Sequence, residues 1–335
     1  MMQKPTDTFA SSDKAIYQRL DISQKDAMSE MVQKLDKDQR CAFDKVIGYC
    51  KSLIAAKNNP KMAVPDAPLL MVHGGAGSGK SKLIEVITLW AEHFLRPNFS
   101  DHNNHHPDRP FIIRTAPTGM AASNVDGLTL HSAFNFPFGN KYIDLQPKKR
   151  DAMRDLMSDL TIVIIDEISM VKTELLYDLH IRLFKEIKQT KDHFGGVAVL
   201  LFGDLMQLEP VQATWIFRDP KCKSEPSPLW RNFRFIELKT NHRQEDDKTY
   251  ADMLNRIRFG NQTDDDIAVL NSRVFDTYPK DAIHIFGKNA PCNEFNNAKL
   301  DDLPGELETF MATNYHPQRG NYQPPMADDG TEKGT

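Results

Sequence analysis

Several things are scarce in this 335-residue chain, and each scarcity removes a class of protein. Long hydrophobic runs are missing: residues 161–165 and 197–202 are each about a strand long, against the ~18 apolar residues a membrane-spanning helix needs. The opening MMQKPTDTFASSDKAIYQRL has no apolar h-region, which argues against a secretory signal. Its Asp7 and Asp13 argue against an organelle transit peptide. Cysteine is rare and scattered. Cys41, Cys50, Cys222 and Cys292 form no CxxC pair, so they read as reduced thiols of an intracellular protein and not as metal ligands or a disulfide frame. Basic surplus is absent too. With 42 Lys and Arg against 46 Asp and Glu the net charge is −4, so any nucleic-acid binding must come from a local groove.

What remains is ordinary globular composition, 40% hydrophobic and 26% charged, at a length sufficient for two domains. Residues 1–32 are polar and read as an irregular leader. From Leu35 apolar residues recur at helical spacing: Cys41, Phe43, Val46, Ile47, Cys50, Ile54. Prolines and paired asparagines in 57–68 mark a loop. Strands are expected at 69–72, 111–115, 161–165, 197–202 and 234–238, with amphipathic helices between them, notably 171–189. Buried apolar strands alternating with helices predict an α/β fold with a parallel central sheet flanked by helices. Past Leu238 the pattern changes to helices at 248–259 and 265–274, the second with Asp264 as a plausible cap, then a strand at 282–286 and a helix to Leu300. The cluster HNNHH at 102–106 sits among Asn, Asp and Pro and reads as a solvated loop.

Two motifs carry chemistry. GGAGSGKS (Gly74, Gly75, Ala76, Gly77, Ser78, Gly79, Lys80, Ser81) follows a strand and opens a helix, the context in which a glycine loop wraps phosphate with its N–H groups. Lys80 is expected to reach the β- and γ-phosphates of ATP, and Ser81 to ligate Mg²⁺. TIVIIDE, at 161–167, ends a strand in two acids. Asp166 suits a hold on Mg²⁺, and Glu167 suits orienting or deprotonating the attacking water. Together they predict a P-loop NTPase that hydrolyses ATP.

The segments TAPTGMAASNVDGLTLHSAF, IIDEISMV, FGDLMQLEPV and LKTNHRQ occur in that order, and the chain from about Leu35 to Leu300 resembles the PIF family of superfamily-one DNA helicases. The resemblance implies a complete RecA-like domain over 33–240, a partial second one over 241–313 and an irregular tail over 314–335. It implies ATP-driven 5′-to-3′ translocation on single-stranded or forked DNA and unwinding of duplex, with repair, recombination and telomere maintenance as expected settings; family members work in nuclei and mitochondria, which leaves the compartment open. By position, Gln39 resembles an adenine-reading glutamine, Gln207 a γ-phosphate sensor, and Arg243 the arginine that reaches the γ-phosphate from the second domain. Pro117, Thr118, His131 and Phe134 fall in segments that contact a single strand.

Two later family motifs, near S-x-H-K-x-Q-G and A-L-S-R, do not occur, nor does the family's small barrel-like insertion. The chain therefore reads as a fragment, not expected to unwind DNA by itself. Two alternatives stay open: a P-loop ATPase acting on a partner other than nucleic acid, and a nucleotide- or DNA-binding module without turnover.

Overall fold

The computed structural model describes residues 25–99, 109–137, 139, 142–221, 227–243, 247–275, 282–305, 308, 314–316 and 320–322. The chain divides into two compact units, Met1–Ile267 and Ala268–Thr335. That division lies well beyond the change of character at Leu238, because Arg243 and the helix that follows it pack with the first unit.

The first unit is built on six parallel strands in the order β3-β2-β4-β5-β1-β6: β1 Leu69–Gly74, β2 Ile112–Ala116, β3 Leu128–Thr129, β4 Ile162–Ile165, β5 Ala198–Gly203 and β6 Arg234–Leu238. Every residue of β4 and β5 is buried, which is why these strands read as unbroken apolar runs. Side chains alternate between the two faces. Met71, Ile113, Val163, Ile165, Val199 and Leu201 enter one core, while Leu70, Val72, Ile112, Ile162, Ile164, Leu200 and Phe202 enter the other. Each such side chain contributes roughly 1.5–3 kcal/mol on burial.

Helices cover both faces. The second core is closed by α2 (Lys37–Asn58) and α3 (Lys80–Phe99), through residues such as Phe43, Val46, Leu83 and Ile87. Preceding them, α1 (Lys25–Gln33) buries Met28 and Val32, so the last part of the expected irregular leader is helical. The first core is closed by α5 (Leu130–Phe134), α6 (Pro147–Leu156) and α7 (Thr173–Ile181). Between β2 and β3 lies the short α4 (Gly119–Asn124).

The single helix expected over 171–189 is instead α7 followed by a π-helical turn, Arg182–Ile187, and the cause is visible. Arg182 is fully buried and donates to Glu186 Oε1 at 2.5 Å and to the Ile143 carbonyl oxygen at 3.1 Å. Its guanidinium lies over the rings of Phe136 and Tyr142. Widening the helix by one residue brings both groups inward, and such bulges tend to mark functional segments.

After β6 come α8 (Lys248–Arg258) and α9 (Asp264–Asn271). Thr263, not Asp264, caps α9: its Oγ1 accepts from Asp266 N at 3.2 Å, and Asp264 is already helical. A bidentate pair, Arg256 Nε to Asp266 Oδ2 at 2.8 Å and Nη2 to Oδ1 at 2.6 Å, closes the α8–α9 turn.

The second unit contains α10 (Asn289–Asp301), which buries no side chain, and a small antiparallel pair, β7 Asn314–His316 with β8 Gly320–Tyr322. The strand expected at 282–286 does not form. Ile283 and Ile285 are 95% and 94% exposed, and no described strand pairs with them. Alternating apolar residues make a strand only where a neighbour supplies hydrogen bonds.

Candidate nucleotide site and strand-end face

The phosphate loop joins β1 to α3. Gly77 and Gly79 have φ of +80° and +76°, values that side chains resist, and the loop closes through Ser78 N to the Gly75 carbonyl oxygen at 3.3 Å. Lys80 Nζ folds back on the loop, donating to the carbonyl oxygens of Gly74 at 2.7 Å and Gly75 at 3.0 Å. Burial lowers the Lys80 pKa, while the charges of Asp166, Glu167 and Asp204 oppose that shift. Ser81 stands exposed at the start of α3, and Ala76 is exposed at the crest of the loop.

Three carboxylates converge on the same ends of the sheet. Asp166 follows β4 and is buried, its Oδ1 without a hydrogen-bond partner among the described residues. Burial, reinforced by Glu167, pushes its pKa up to about 6 against the pull of Lys80 and a backbone hydrogen bond. Glu167 adopts a left-handed backbone, φ +50° and ψ +47°, a conformation rare outside glycine that gathers at functional sites. Asp204 follows β5, the strand between β1 and β4. It is held from several sides: His73 Nε2 lies 3.4 Å away, Met206 N donates at 3.0 Å, Gln207 Nε2 donates at 3.2 Å, and the Arg258 guanidinium pairs with Oδ1. Burial would raise the Asp204 pKa, but those partners hold it down to about 2.

The other residues singled out from the sequence divide into three groups. Gln207 is exposed and tethered to Asp204 just past the end of β5. Arg243 is exposed, and a Cβ on Gly77 would come within 2.6 Å of its own. His242 N donates to the Gly77 carbonyl oxygen at 2.9 Å, so this segment docks on the phosphate loop of the same unit, where the sequence had put it in a second lobe.

Gln39 departs from expectation. It is buried, with Oε1 accepting from Asp36 N at 3.1 Å and Nε2 donating to the Ser78 carbonyl oxygen at 3.0 Å. Each end of the amide holds a backbone group, and Nε2 also lies 3.4 Å from His242 Nε2, so in this structure Gln39 braces the phosphate loop. Phe134 departs further. Its ring is fully buried beside Phe136 and has no face to offer a base. Pro117, Thr118 and His131 are partly exposed: the first two follow β2, and His131 lies on α5. Thr118 Oγ1 caps α4 by accepting from Ala121 N at 3.2 Å, leaving its hydroxyl proton for another acceptor. The histidine cluster at 102–106 lies outside the described residues.

Asp204, His73, His242 and Arg258 were not singled out as site residues by sequence. Asp204 carried a readable signal, an acid ending an apolar strand as Asp166 does. Arg258 carried none, being one basic residue in the last turn of an amphipathic helix.

A glycine loop between a strand and a helix, two acids closing a second strand and an inserted strand between the two define a RecA-like P-loop NTPase domain. Residues 34–267 match the family model described as PIF1-like helicase, and the chain belongs to that family. ATP-dependent DNA helicase RRM3 of Saccharomyces cerevisiae is 33% identical over 254 residues, which are 73% of this chain and 33% of that protein. ATP-dependent DNA helicase PIF1 of the same species is 31% identical over 251 residues, covering 71% and 27%. Among solved structures, Pif1 helicase from Candida albicans aligns with a TM-score of 0.62 at 25% identity, over 81% of this chain and 55% of that one. Pif1 from Bacteroides in complex with ADP-AlF3 and ssDNA aligns with a TM-score of 0.53 at 26% identity, over 76% and 58%. The chain thus spans about a third or less of the length of these curated relatives.

Proposed function

We propose that this chain binds Mg-ATP, hydrolyses it and couples turnover to a single DNA strand, as the motor portion of a 5′-to-3′ helicase. The buried, unpartnered Asp166 Oδ1 beside the phosphate loop carries the reading. A carboxylate oxygen without a donor costs stability unless something arrives to use it.

The donor set fits a divalent cation: Asp166 and the Ser81 hydroxyl would hold Mg²⁺, whose chemistry there is to neutralise charge on the phosphate oxygens. Lys80 leaves the Gly74 and Gly75 carbonyls to bind the β- and γ-phosphates. Glu167 orients a water in line with the γ-phosphorus and accepts its proton. In this reading Gln207 senses the terminal phosphate and Arg243 stabilises the charge that grows there. Such an arginine is worth ~10³-fold or more in rate. The partly exposed Pro117, Thr118 and His131 supply the DNA-facing surface; that a single strand is bound at all is supported by the relative from Bacteroides solved with ssDNA.

Turnover measured with and without single-stranded DNA tests the reading. Lys80→Ala should abolish measurable ATP binding, and Glu167→Gln should keep binding while losing turnover. DNA should stimulate the parent. Unstimulated turnover would favour an ATPase serving another cargo, and binding without turnover a nucleotide-binding module.

A further inference from the structure

The inference rests on the nucleotide-binding reading and extends it to a residue outside the motifs. We propose that Arg258 is a second cation of the nucleotide site, one that exchanges the Asp204 carboxylate for the terminal phosphate when ATP binds.

Arg258 is the last residue of α8, about fifteen positions after NHRQ. Its guanidinium lies against the phosphate loop: a Cβ on Gly75 would meet Nη1 at 2.6 Å, so a side chain there would evict the arginine. Nη2 pairs with Asp204 Oδ1, while Nε is buried with no acceptor among the described residues. A guanidinium presents five donors in a planar fork, well suited to a phosphate's oxygens. The group therefore arrives at the loop with unused donors.

Its place on the loop selects the terminal phosphate. Lys80 Nζ, the group that addresses β- and γ-phosphates, now rests on the Gly74 and Gly75 carbonyls. Arg258 packs on that same Gly75, whereas Arg243 packs on Gly77. The two arginines thus bracket the crest of the loop. The two cations are near enough that Arg258 is one of the charges lowering the Lys80 pKa, behind the larger effect of burial. A triphosphate relieves that opposition, since its terminal charge gives both cations a partner.

Asp204 is equipped to release the arginine. Without Arg258 it keeps Met206 N, the Gln207 amide and the neighbouring His73 Nε2. ADP, which lacks the γ-phosphate, leaves the Arg258–Asp204 pair in place. Arg258 therefore distinguishes ATP from ADP, and its departure from Asp204 reports the difference to Gln207.

The test is titration of the 335-residue chain with Mg-AMP-PNP and with Mg-ADP, for the parent, Arg258→Ala and Arg258→Lys. Loss of charge-assisted hydrogen bonds to one phosphate should weaken AMP-PNP about tenfold or more. ADP affinity should stay within about twofold in the same variant. Lysine should restore part of the AMP-PNP affinity, since it keeps the charge and loses the fork. On an Asp204→Asn background the competitor is gone, so Arg258→Ala should cost AMP-PNP binding at least as much. Equal losses for both nucleotides, or none for either, would make Arg258 a structural strut and overturn the inference alone. Failure of the parent to bind either nucleotide would sink the ATPase reading, and this inference with it.

Discussion

The side-chain amide of Gln39 donates to the carbonyl oxygen of Ser78 at 3.0 Å, tying helix α2 to the phosphate loop. The same amide accepts from Asp36 N at the head of that helix, completing a capping box. Gln39→Ala should therefore loosen the loop for every nucleotide. ATP and GTP affinities should fall together, by roughly the 0.5–1.5 kcal/mol of one hydrogen bond. Loss of ATP affinity with GTP spared would restore an adenine-reading role.

Phe134 belongs to the core, fully buried with Phe136 and Leu130. Phe134→Ala should cost about 3–5 kcal/mol in urea unfolding. Phe134→Leu, closer in volume, should fold and bind a single-stranded oligonucleotide as the parent does. His131→Ala should weaken that binding instead. A folded Phe134→Leu protein with tenfold weaker DNA binding would contradict the burial.

Arg182 and Glu186 form a buried ion pair, and Glu186 Oε2 also accepts from Leu145 N at 2.7 Å. Removing one charge strands the other. Arg182→Ala should destabilise by about 3–5 kcal/mol, while Arg182→Met with Glu186→Leu should cost less than the two single changes added. Additive losses would show that the pair is not coupled. Because Arg182 also binds the Ile143 carbonyl oxygen, the single variant should open the segment after α5 to protease before the core unfolds.

Asp204 gives a pH signature. Its folded-state pKa of about 2 lies below the ordinary 3.8, so ionisation stabilises the fold above about pH 4, and that stability is lost as pH falls toward 2. Asp204→Asn should be less stable than the parent by about 2 kcal/mol near neutrality. The gap should close between about pH 4 and pH 2. A gap that stays constant across that window would place the cost in lost geometry and not in charge.

The sheet was legible because β4 and β5 are buried on both faces, and such strands leave an apolar run that no helix period disguises. The loop and the acids after β4 were legible because phosphate chemistry fixes their spacing. The strand β3 was not, since two residues are too short to carry a pattern. Arg182 was invisible for the opposite reason: a charge in an amphipathic stretch reads as solvent-facing until its partner, four residues on, is seen inside with it. Residues 282–286 had the right alternation and no partner, which sequence shows for one segment at a time. Gln39 and Arg258 depend on where α2 and α8 come to rest. Position in a motif gave Gln39 a role that its hydrogen bonds redirect, and gave Arg258 none.

The strand order also sets when the site can exist. Lys80, Asp166 and Asp204 follow β1, β4 and β5, neighbours in the sheet that are separated by long stretches of chain. No local piece of sequence holds two of them in register, so the pocket requires these long-range pairings to be in place. A nucleotide that recognises it binds the assembled sheet and not its parts. At a hundredfold excess over the dissociation constant such a ligand adds about 2.7 kcal/mol to the whole domain. Heat resistance gained on adding ATP then reports on the assembled sheet, and should rise with nucleotide concentration.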